Sequence, residues 1–571
     1  MGSVRHGKTH GSATCEPLAT GAPRPYHRCM APTHDVTNQV PPRVGLNEFT
    51  EDLALQNYLS AFGGGAHVTS LTELGQLTGT EAARTWGELA NTRVPTLRTH
   101  DRYGHRVDEV IYDESYHRLM TVATKYGLHG APWASLSPGS HVARAAGFIL
   151  WSQAEAGHMC PISMTYAAIP ALRIDSVLAA PWLPGLTQRG YDSRLAPAHT
   201  KPGLLAGMAM TEKQGGSDVR ANTTHATPSG AHYLLTGHKW FCSAPMSDLF
   251  LVLAQAEGGL TCFVIPRVLE DGTRNTFRLQ RLKDKLGNRS NASAEIELED
   301  TIGFRLGDEG RGVKTIVEMV SATRLDCVLG SAALMRAAVN QAIWHAEHRR
   351  AFGKKLTDQP LMRTVLADLE LETEATTALG LRLAAAVDAS EAGSEHDRLL
   401  RRIALPAAKY HTTKRAMAVT GEALECLGGN GYVEESGMPR LYREAPVNSV
   451  WEGSGNVNAL DLLRALTREE GVFDALVAEL ATTQGADATL DAATADLEAE
   501  LRRAQGDPAT AEPHARFLAE RVAVCLQASL LLRHAASGTA DAFIHQRVSS
   551  TGMSFGAGSS TFGATSATHP A

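Results

Sequence analysis

The chain has 571 residues, of which 43% are hydrophobic and 20% are charged, and its formal net charge is −7. This composition excludes a fibrous or wholly disordered protein, and the length predicts two to four domains around separate cores. No apolar run approaches the roughly 20 residues of a membrane-spanning helix, and the acidic balance opposes long-range attraction to a phosphate backbone.

The N-terminal part of the chain is predicted to be helical after an irregular leader. Residues 1–35 mix His, Gly, Pro and Ser without periodicity and are expected to be a disordered leader. They lack the apolar stretch of a secretory signal, so we expect a cytoplasmic protein. Helical spacing in YHRLMTVATKYG and HVARAAGFILWSQAEAG then predicts an N-terminal α-helical domain over 36–202.

Strand patterns replace helical ones after Pro202. The runs HYLLTGHKWF, DLFLVLAQA, LTCFVIPRV and AEIELED, separated by turn residues, predict a β-domain over 203–311. Apolar residues at helical spacing then predict a helical bundle over 312–466, in which a second helix has an apolar face that begins at Leu361. We expect an extra helical region over 467–548 and a disordered tail over 549–571, which makes the fold class α+β. The eight cysteines are scattered singly, so we expect reduced packing residues and no zinc site.

The stretch MTEKQGGSDV opens the β-domain and is the first candidate binding motif. Thr211 and Ser217 supply hydroxyl groups, and Gly216 lets the backbone approach a ligand closely, which suits a flavin edge and a pyrophosphate. A polar glycine turn between a helix and a strand is the alternative interpretation.

A second motif follows in GHKWFCSAP. Phe241 can cover a flavin face, and Ser243, two residues further along a strand, points the same way and can donate to a ring nitrogen. Core packing is the alternative for the aromatic residues. The segment LKDKLGNRSNAS, taken alone, indicates a solvated basic loop.

Two further motifs lie in the predicted bundle. Arg349 stands at a helix end, where a guanidinium group can bind a phosphate in a bidentate manner, although a surface Arg pair is the commoner explanation. The Gly-rich stretch LGGNGY, with Gly428 and Gly429, is a helix stop that also fits a simple C-cap.

The last motif is LYREAPVNSVWEGSGN. Glu452 lies between Trp451 and a Gly-Ser-Gly turn, where its carboxyl group can be partly desolvated and its pKa raised, as a general base requires. An ordinary acid at a helix start is the alternative for this motif taken alone.

The order and spacing of these motifs resemble the acyl-CoA dehydrogenase superfamily over about 130–466, and within it the AidB type linked to the response to DNA alkylation. The resemblance implies an N-terminal helical domain, a β-domain and a helical bundle around FAD in a homotetramer. It implies that Thr211 and Ser243 bind the flavin ring, that Ser217 reaches the pyrophosphate, and that Arg349 and Gly428 touch a neighbouring subunit's cofactor. The predicted cofactor-binding residues are Met210, Thr211, Gly216, Ser217, Phe241, Cys242, Ser243, Arg349, Gly428, Gly429, Val450, Trp451, Gly453, Ser454, Gly455 and Asn456.

Two positions depart from the family pattern. Glu425 stands where the family usually has Gln, which puts an anion near an expected phosphate, and Gln359 follows Phe352 about one residue early. Cofactor affinity and the adenine contact are the properties that these departures affect.

The resemblance implies a reaction in which a carboxylate removes the α-proton of an acyl thioester while a hydride leaves for the flavin. Glu452 is the predicted base, because Thr323 precedes Arg324 where some members carry the base instead. Three functions stay open: a short- or branched-chain acyl-CoA dehydrogenase, a flavin oxidase or dealkylating enzyme, and a DNA-associated flavoprotein with vestigial catalysis. Acids outnumber arginines in 467–571, so we expect duplex DNA to bind weakly.

Overall fold

The structure of the chain, a computed structural model, describes residues 33–134 and 137–549. The predicted leader and tail therefore lie outside the described residues, apart from 33–35 and 549. Residues 33–39 contain no helix or strand, and the described residues from Val40 to 549 form one compact unit. Within the described residues, no helix has the length and hydropathy needed to cross a membrane.

The N-terminal region is mainly helical, and Asp52, Thr80 and Asp113 accept hydrogen bonds from the first turns of three of its helices. Its elements are α1 Leu53–Ala61, α2 Val68–Thr78, α3 Glu81–Thr92, β1 Thr96–His100, β2 Arg106–Ile111, α4 Glu114–Lys125, α5 Ser140–Ser152, α6 Met159–Leu172, α7 Ser176–Ala179 and α8 Leu183–Thr187.

A β-hairpin interrupts this helical region and was not predicted. β1 and β2 pair in antiparallel fashion, and Val110 of β2 is buried in the core of the following β-domain. Arg106 donates to the carbonyl group of Leu279 at 3.1 Å. The hairpin is short and only its inner face is buried, so its pattern is too brief to stand out in the sequence.

The β-domain is a curled sheet. Its strands are β3 Ala206–Ala209, β4 His225–Ser229, β5 His232–Ser243, β6 Leu249–Ala256, β7 Gly259–Pro266, β8 Phe277–Leu282 and β9 Ser293–Leu306. The pairings run β6–β4–β5–β9–β7 and return to β6, so the sheet closes around a core that includes Phe250, Phe263 and Ile265. β3 extends the sheet as a parallel partner of β6.

The bundle consists of long helices joined by short connections. Its elements are α9 Gly312–His348, β10 Arg350–Ala351, β11 Lys354–Lys355, α10 Pro360–Glu391, α11 Glu395–Cys426, α12 Met438–Val450 and α13 Gly455–Arg468. α9 and α11 run in the same direction, because each packs along α10; a segment that contains the β10–β11 hairpin joins α9 to α10, and a short turn joins α10 to α11. The predicted stripe of α9 is buried throughout, as Val328, Ala332, Met335, Val339, Ala342 and Ala346 show.

One predicted core position is wrong. Leu361, placed at the start of an apolar face, is 78% exposed, whereas Leu369 on the same helix is buried. Leu361 lies in the first turn of α10, where no described residue covers its side chain enough to bury it.

The C-terminal extension (467–548) packs on the bundle. Its helices are α14 Val472–Ala481, α15 Ala488–Gly506, α16 Pro508–Ala511, α17 Ala515–His534 and α18 Thr539–Phe543. Two buried carboxylates join it to the bundle: Glu479 accepts from Arg382 and Arg533, and Glu372 accepts from Arg415 and Arg547. The α+β class, with helical, β and helical regions in that order, is confirmed.

Candidate active site

Glu452 lies in the turn between α12 and α13, inside the protein beside α9 and α11. Its backbone has φ +56°, a left-handed conformation that is uncommon for a residue with a side chain. Burial raises the pKa of Glu452 above its usual value, while a hydrogen bond with Thr323 and the charges of Lys409 and Arg324 oppose the rise. A carboxyl group held in this way is suited to accept a proton.

Two buried cations bind the main chain of this turn. Lys409 of α11 donates from Nζ to the carbonyl groups of Trp451 and Gly453 at 2.7 and 2.5 Å. Arg324 of α9 donates from Nε to the carbonyl group of Glu452 at 3.0 Å and forms an ion pair with Asp461 of α13. Asn458 adds a bond to the Gly453 carbonyl at 2.6 Å.

Lys409 was missed by sequence reasoning. It is 1% exposed and lies within a stretch of α11, 403–413, in which every residue is buried. A lysine on an apolar helical stripe was the available signal, because burying an ammonium group requires fixed acceptors.

Cys160 of α6 lies between the turn that carries Glu452 and the β-domain. Burial raises the pKa of its thiol to about 12; the charge of Glu452 adds to the rise, and a hydrogen bond with Ser243 opposes it. The predicted base and the predicted flavin-binding serine are therefore close to the same buried side chain.

Ser243 is held by a chain of polar groups that sequence reasoning also missed. Its hydroxyl group lies 3.0 Å from that of Ser293, which accepts from Lys285 Nζ at 3.1 Å. Lys285 also donates to the Asn291 carbonyl at 2.6 Å, and burial lowers its pKa to about 8. The KLGNRS segment is thus not simply the solvated loop that its composition indicates.

The MTEKQGGSDV segment lies directly against the end of β5. The amide of Trp240 donates to the Thr211 carbonyl at 2.8 Å, which brings this motif next to Phe241 and Ser243. Beneath the segment, Glu212 and Lys239 form a fully buried ion pair at 2.7 Å. Burial of Glu212 is more than offset by Lys239 and by bonds to Thr223 and Thr224, so its pKa lies well below the ordinary value.

The predicted residues at the other end of the bundle lie far from Glu452. Thr323 and Arg349 are separated by roughly 39 Å along α9 at the 1.5 Å rise per residue of an α-helix. Gly428 and Gly429 follow the end of α11, which runs parallel to α9, and a Cβ atom added to either would meet nothing within 4 Å. We call the level of Thr323 and Lys409 the near end, and the level of Arg349 and Gly428 the far end.

Comparison with known proteins accounts for this arrangement. Residues 38–193 match the N-terminal domain of adaptive response protein AidB, 207–301 match the acyl-CoA dehydrogenase middle domain, and 310–467 match the acyl-CoA dehydrogenase C-terminal domain. The chain belongs to the acyl-CoA dehydrogenase family. Its N-terminal domain assigns it to the AidB type within that family, as its motifs predict. Family members are oxidoreductases that act on CH–CH groups.

Individual relatives extend the likeness over most of the chain. The Escherichia coli strain K12 protein AidB is 47% identical over 491 residues, which is 85% of this chain and 90% of that protein. The Caenorhabditis elegans ACDH-11 structure, solved in complex with C11-CoA, has a TM-score of 0.82 at 28% identity and covers 90% of this chain and 94% of that one.

FAD is confirmed as the cofactor at the level of the family. A Bacillus anthracis acyl-CoA dehydrogenase complexed with FAD has the same fold, with a TM-score of 0.62 at 18% identity over 76% of this chain and 81% of that one.

The residues of this chain fit a flavin. A Cβ atom on Gly216 would lie 2.4 Å from Thr211 Oγ1, so only glycine lets the main chain of the segment pack this closely against the Thr211 side chain. Phe241 is half exposed at the end of β5, and the buried Trp451 Nε1 has no hydrogen-bond partner among the described residues. Cys242 stays a prediction as a cofactor-binding residue: its side chain is fully buried in the β-domain core, which leaves only its main chain for a cofactor contact.

Proposed function

We propose that the chain is an FAD-dependent acyl-CoA dehydrogenase in which Glu452 is the catalytic base. The observation that carries this proposal is the position of Glu452, a partly buried carboxyl group with a raised pKa whose charge acts on Cys160, the thiol that also hydrogen-bonds with Ser243. This supports a role for Glu452 as the base and for Ser243 as the flavin-binding hydroxyl of one site.

The residues of the chain have separate tasks in this proposal. Glu452 accepts the α-proton of an acyl thioester, Ser243 and Thr211 bind and orient the flavin ring, and Ser217 reaches the pyrophosphate. Bound FAD supplies the acceptor for the hydride that leaves the β-carbon. Burial around Glu452 excludes water, which keeps the carboxyl group a stronger base than an exposed glutamate.

Purified protein tests the cofactor directly. We expect a yellow protein that releases FAD when it is denatured, and added FAD should raise the melting temperature of the cofactor-free protein. Turnover of a panel from butyryl-CoA and isovaleryl-CoA to C11-CoA, with an artificial electron acceptor, then tests the proposed short- or branched-chain preference. Absence of FAD together with no thermal shift would contradict the proposal.

We further propose that the protein is a homotetramer whose cofactor sites lie between subunits. The roughly 39 Å between Thr323 and Arg349 is too long for one end of α9 to serve the same site as the other. The far end also exposes apolar groups, since Phe352 is 98%, Tyr432 83% and Leu361 78% exposed. A second copy of the chain would bury them and bring a cofactor to Arg349 and Gly428.

A role in the response to DNA alkylation is the remaining part of the proposal, and we propose weak binding of duplex DNA for it. Several arginines of the C-terminal extension are committed to internal contacts: Arg533 and Arg547 pair with buried carboxylates, and Arg521 donates to the Val548 carbonyl. Few of them are left to neutralise phosphates.

A further inference from the structure

The turn that carries Glu452 is held by its carbonyl groups. Three in succession, those of Trp451, Glu452 and Gly453, accept hydrogen bonds from buried cationic side chains. Lys409 binds the carbonyl groups on both sides of Glu452, and Arg324 binds the one between them. Hydrogen bonds from charged donors are stronger than neutral ones, so this set is strong for a turn of three residues.

The conformation of Glu452 needs such support. A left-handed conformation is unfavourable at a residue with a side chain and persists where surrounding contacts fix it. Glycine would relieve this cost, but the turn carries a glutamate at that position and a glycine after it. The side-chain carboxyl group can face Thr323 because the main chain holds this conformation.

We propose that Lys409 is a positioning residue for Glu452: its ammonium group fixes the peptide groups before and after Glu452, and so directs the carboxyl group into the reaction site. This inference rests on the proposed function, because it assigns Lys409 to the same base. Arg324 shares the task, but Asp461 already partners its guanidinium group, whereas Lys409 Nζ donates to two carbonyl groups of this turn.

The charge of Lys409 has a second effect on the base. The titratable and polar groups around Glu452 come from three helices: Thr323, Arg324 and Cys327 of α9, Lys409 of α11, and Cys160 of α6. Two more charged groups lie behind them: Asp461 of α13 pairs with Arg324, and Lys414 lies near Lys409. Burial raises the pKa of Glu452, and the positive charges of Lys409 and Arg324 limit that rise. Removal of the Lys409 charge therefore raises the pKa of Glu452 further.

The test is a pH titration of the FAD-loaded protein followed by flavin absorbance. Glu452→Gln supplies the background, so the difference between wild type and Glu452→Gln reports ionisation of Glu452 beside the flavin. We expect Lys409→Met to retain FAD and to shift this ionisation upward by about one pH unit or more. With an acyl-CoA that the wild type turns over, kcat at neutral pH should fall at least tenfold and recover partly as the pH rises.

Two further variants separate positioning from folding. Lys409→Arg, which retains charge and donors, should restore most of the ionisation profile, and Lys125→Met, which removes an exposed lysine at the end of α4, should leave it unchanged. If Lys409→Met does not fold, Lys409→Gln keeps an N–H donor without the charge and should show the same upward shift. An ionisation profile equal to that of the wild type in the folded variant overturns the inference.

The proposed function fails in a different way. If wild type and Glu452→Gln give the same titration, Glu452 is not beside the flavin and the assignment of the base is wrong. If they differ and the Lys409 variant follows the wild type, only the role of Lys409 is wrong.

Discussion

The two ends of the helical bundle differ in how far a single chain encloses them. At the near end, Glu452 is enclosed by α9, α11 and α13, and its turn is bound by Lys409, Arg324 and Asn458 of the same chain. At the far end, Phe352 and Tyr432 are almost fully exposed, and Gly428 faces open space. The near end is complete within one chain, whereas the far end has the features of a surface that another chain covers.

This difference shows which property each end controls. Substitutions at the near end should change the chemistry while the protein retains its cofactor. Substitutions at the far end should change assembly and cofactor retention together, although no catalytic group lies there. Turnover and FAD content, measured on the same variant, therefore distinguish a change at the near end from a change at the far end.

Glu452→Gln should lower the turnover of any acyl-CoA substrate by about 10²–10⁴-fold, because it removes the base while it keeps the size of the side chain. FAD content, measured by absorbance after denaturation, should equal that of the wild type. Unchanged turnover with a defined substrate would place the base elsewhere, and loss of FAD would show that the near end also controls cofactor binding.

Phe352→Asp should break the tetramer and reduce bound FAD at least tenfold, because it places a charge in the centre of the proposed contact. Light scattering after size-exclusion chromatography measures the mass, and absorbance measures the flavin. Val177→Asp is the matched control, since Val177 is 84% exposed on α7, away from the far end. A variant tetramer with full FAD content would show that the far end is an ordinary surface.

Lys239→Met should destabilise the protein by about 3–5 kcal/mol, because it leaves the buried carboxylate of Glu212 without its cation under the flavin-binding segment. The double variant Glu212→Gln with Lys239→Met should recover part of the loss. Thermal unfolding of both variants measures the difference, and equal stability of the single variant and wild type would refute a structural role for the pair.

The ion pair between Glu212 and Lys239 determines how the stability of the protein changes with pH. The pKa of Glu212 is depressed in the folded protein, so its contribution is fully present above the ordinary glutamate pKa of 4.5 and is lost as the pH falls below it. The stability difference between wild type and the double variant should therefore shrink on acidification.

The smallest effect is expected for DNA. Binding of duplex DNA in a gel-shift assay should be weak, without base preference, and should decrease steeply with salt, because the C-terminal extension has more acids than arginines and binds several of those arginines internally. Micromolar or tighter binding at physiological salt would show that assembly of subunits at the far end gathers the remaining arginines into one surface.

The sequence predicts those parts of the molecule in which the burial of a residue follows from the hydrophobic pattern of its near neighbours in the chain. The apolar stripe of α9 and the strands around Phe263 and Ile296 follow from periodicity, because the buried face of a helix or strand repeats within a few residues. Motif order then leads to Glu452 and Ser243, which lie in sequence motifs similar to those of the acyl-CoA dehydrogenase family.

The remaining features depend on contacts between segments far apart in the chain. The importance of Lys409 arises from carbonyl groups more than 40 residues later, as the 42- and 44-residue separations of its bonds show. The β1–β2 hairpin packs against β8, and Leu361 is exposed although Leu369 on the same helix is buried. No local periodicity encodes such long-range partners.

The length of α9 has a genetic consequence. One helix carries Thr323 beside the base of one site and Arg349 toward what we propose is another, so each polypeptide contributes to two cofactor sites. A subunit with Glu452→Gln still offers an intact Arg349, and a subunit with Arg349→Ala still offers an intact Glu452. Co-expression of two such inactive alleles should therefore restore activity by intragenic complementation, because mixed tetramers contain sites that receive an intact half from each parent.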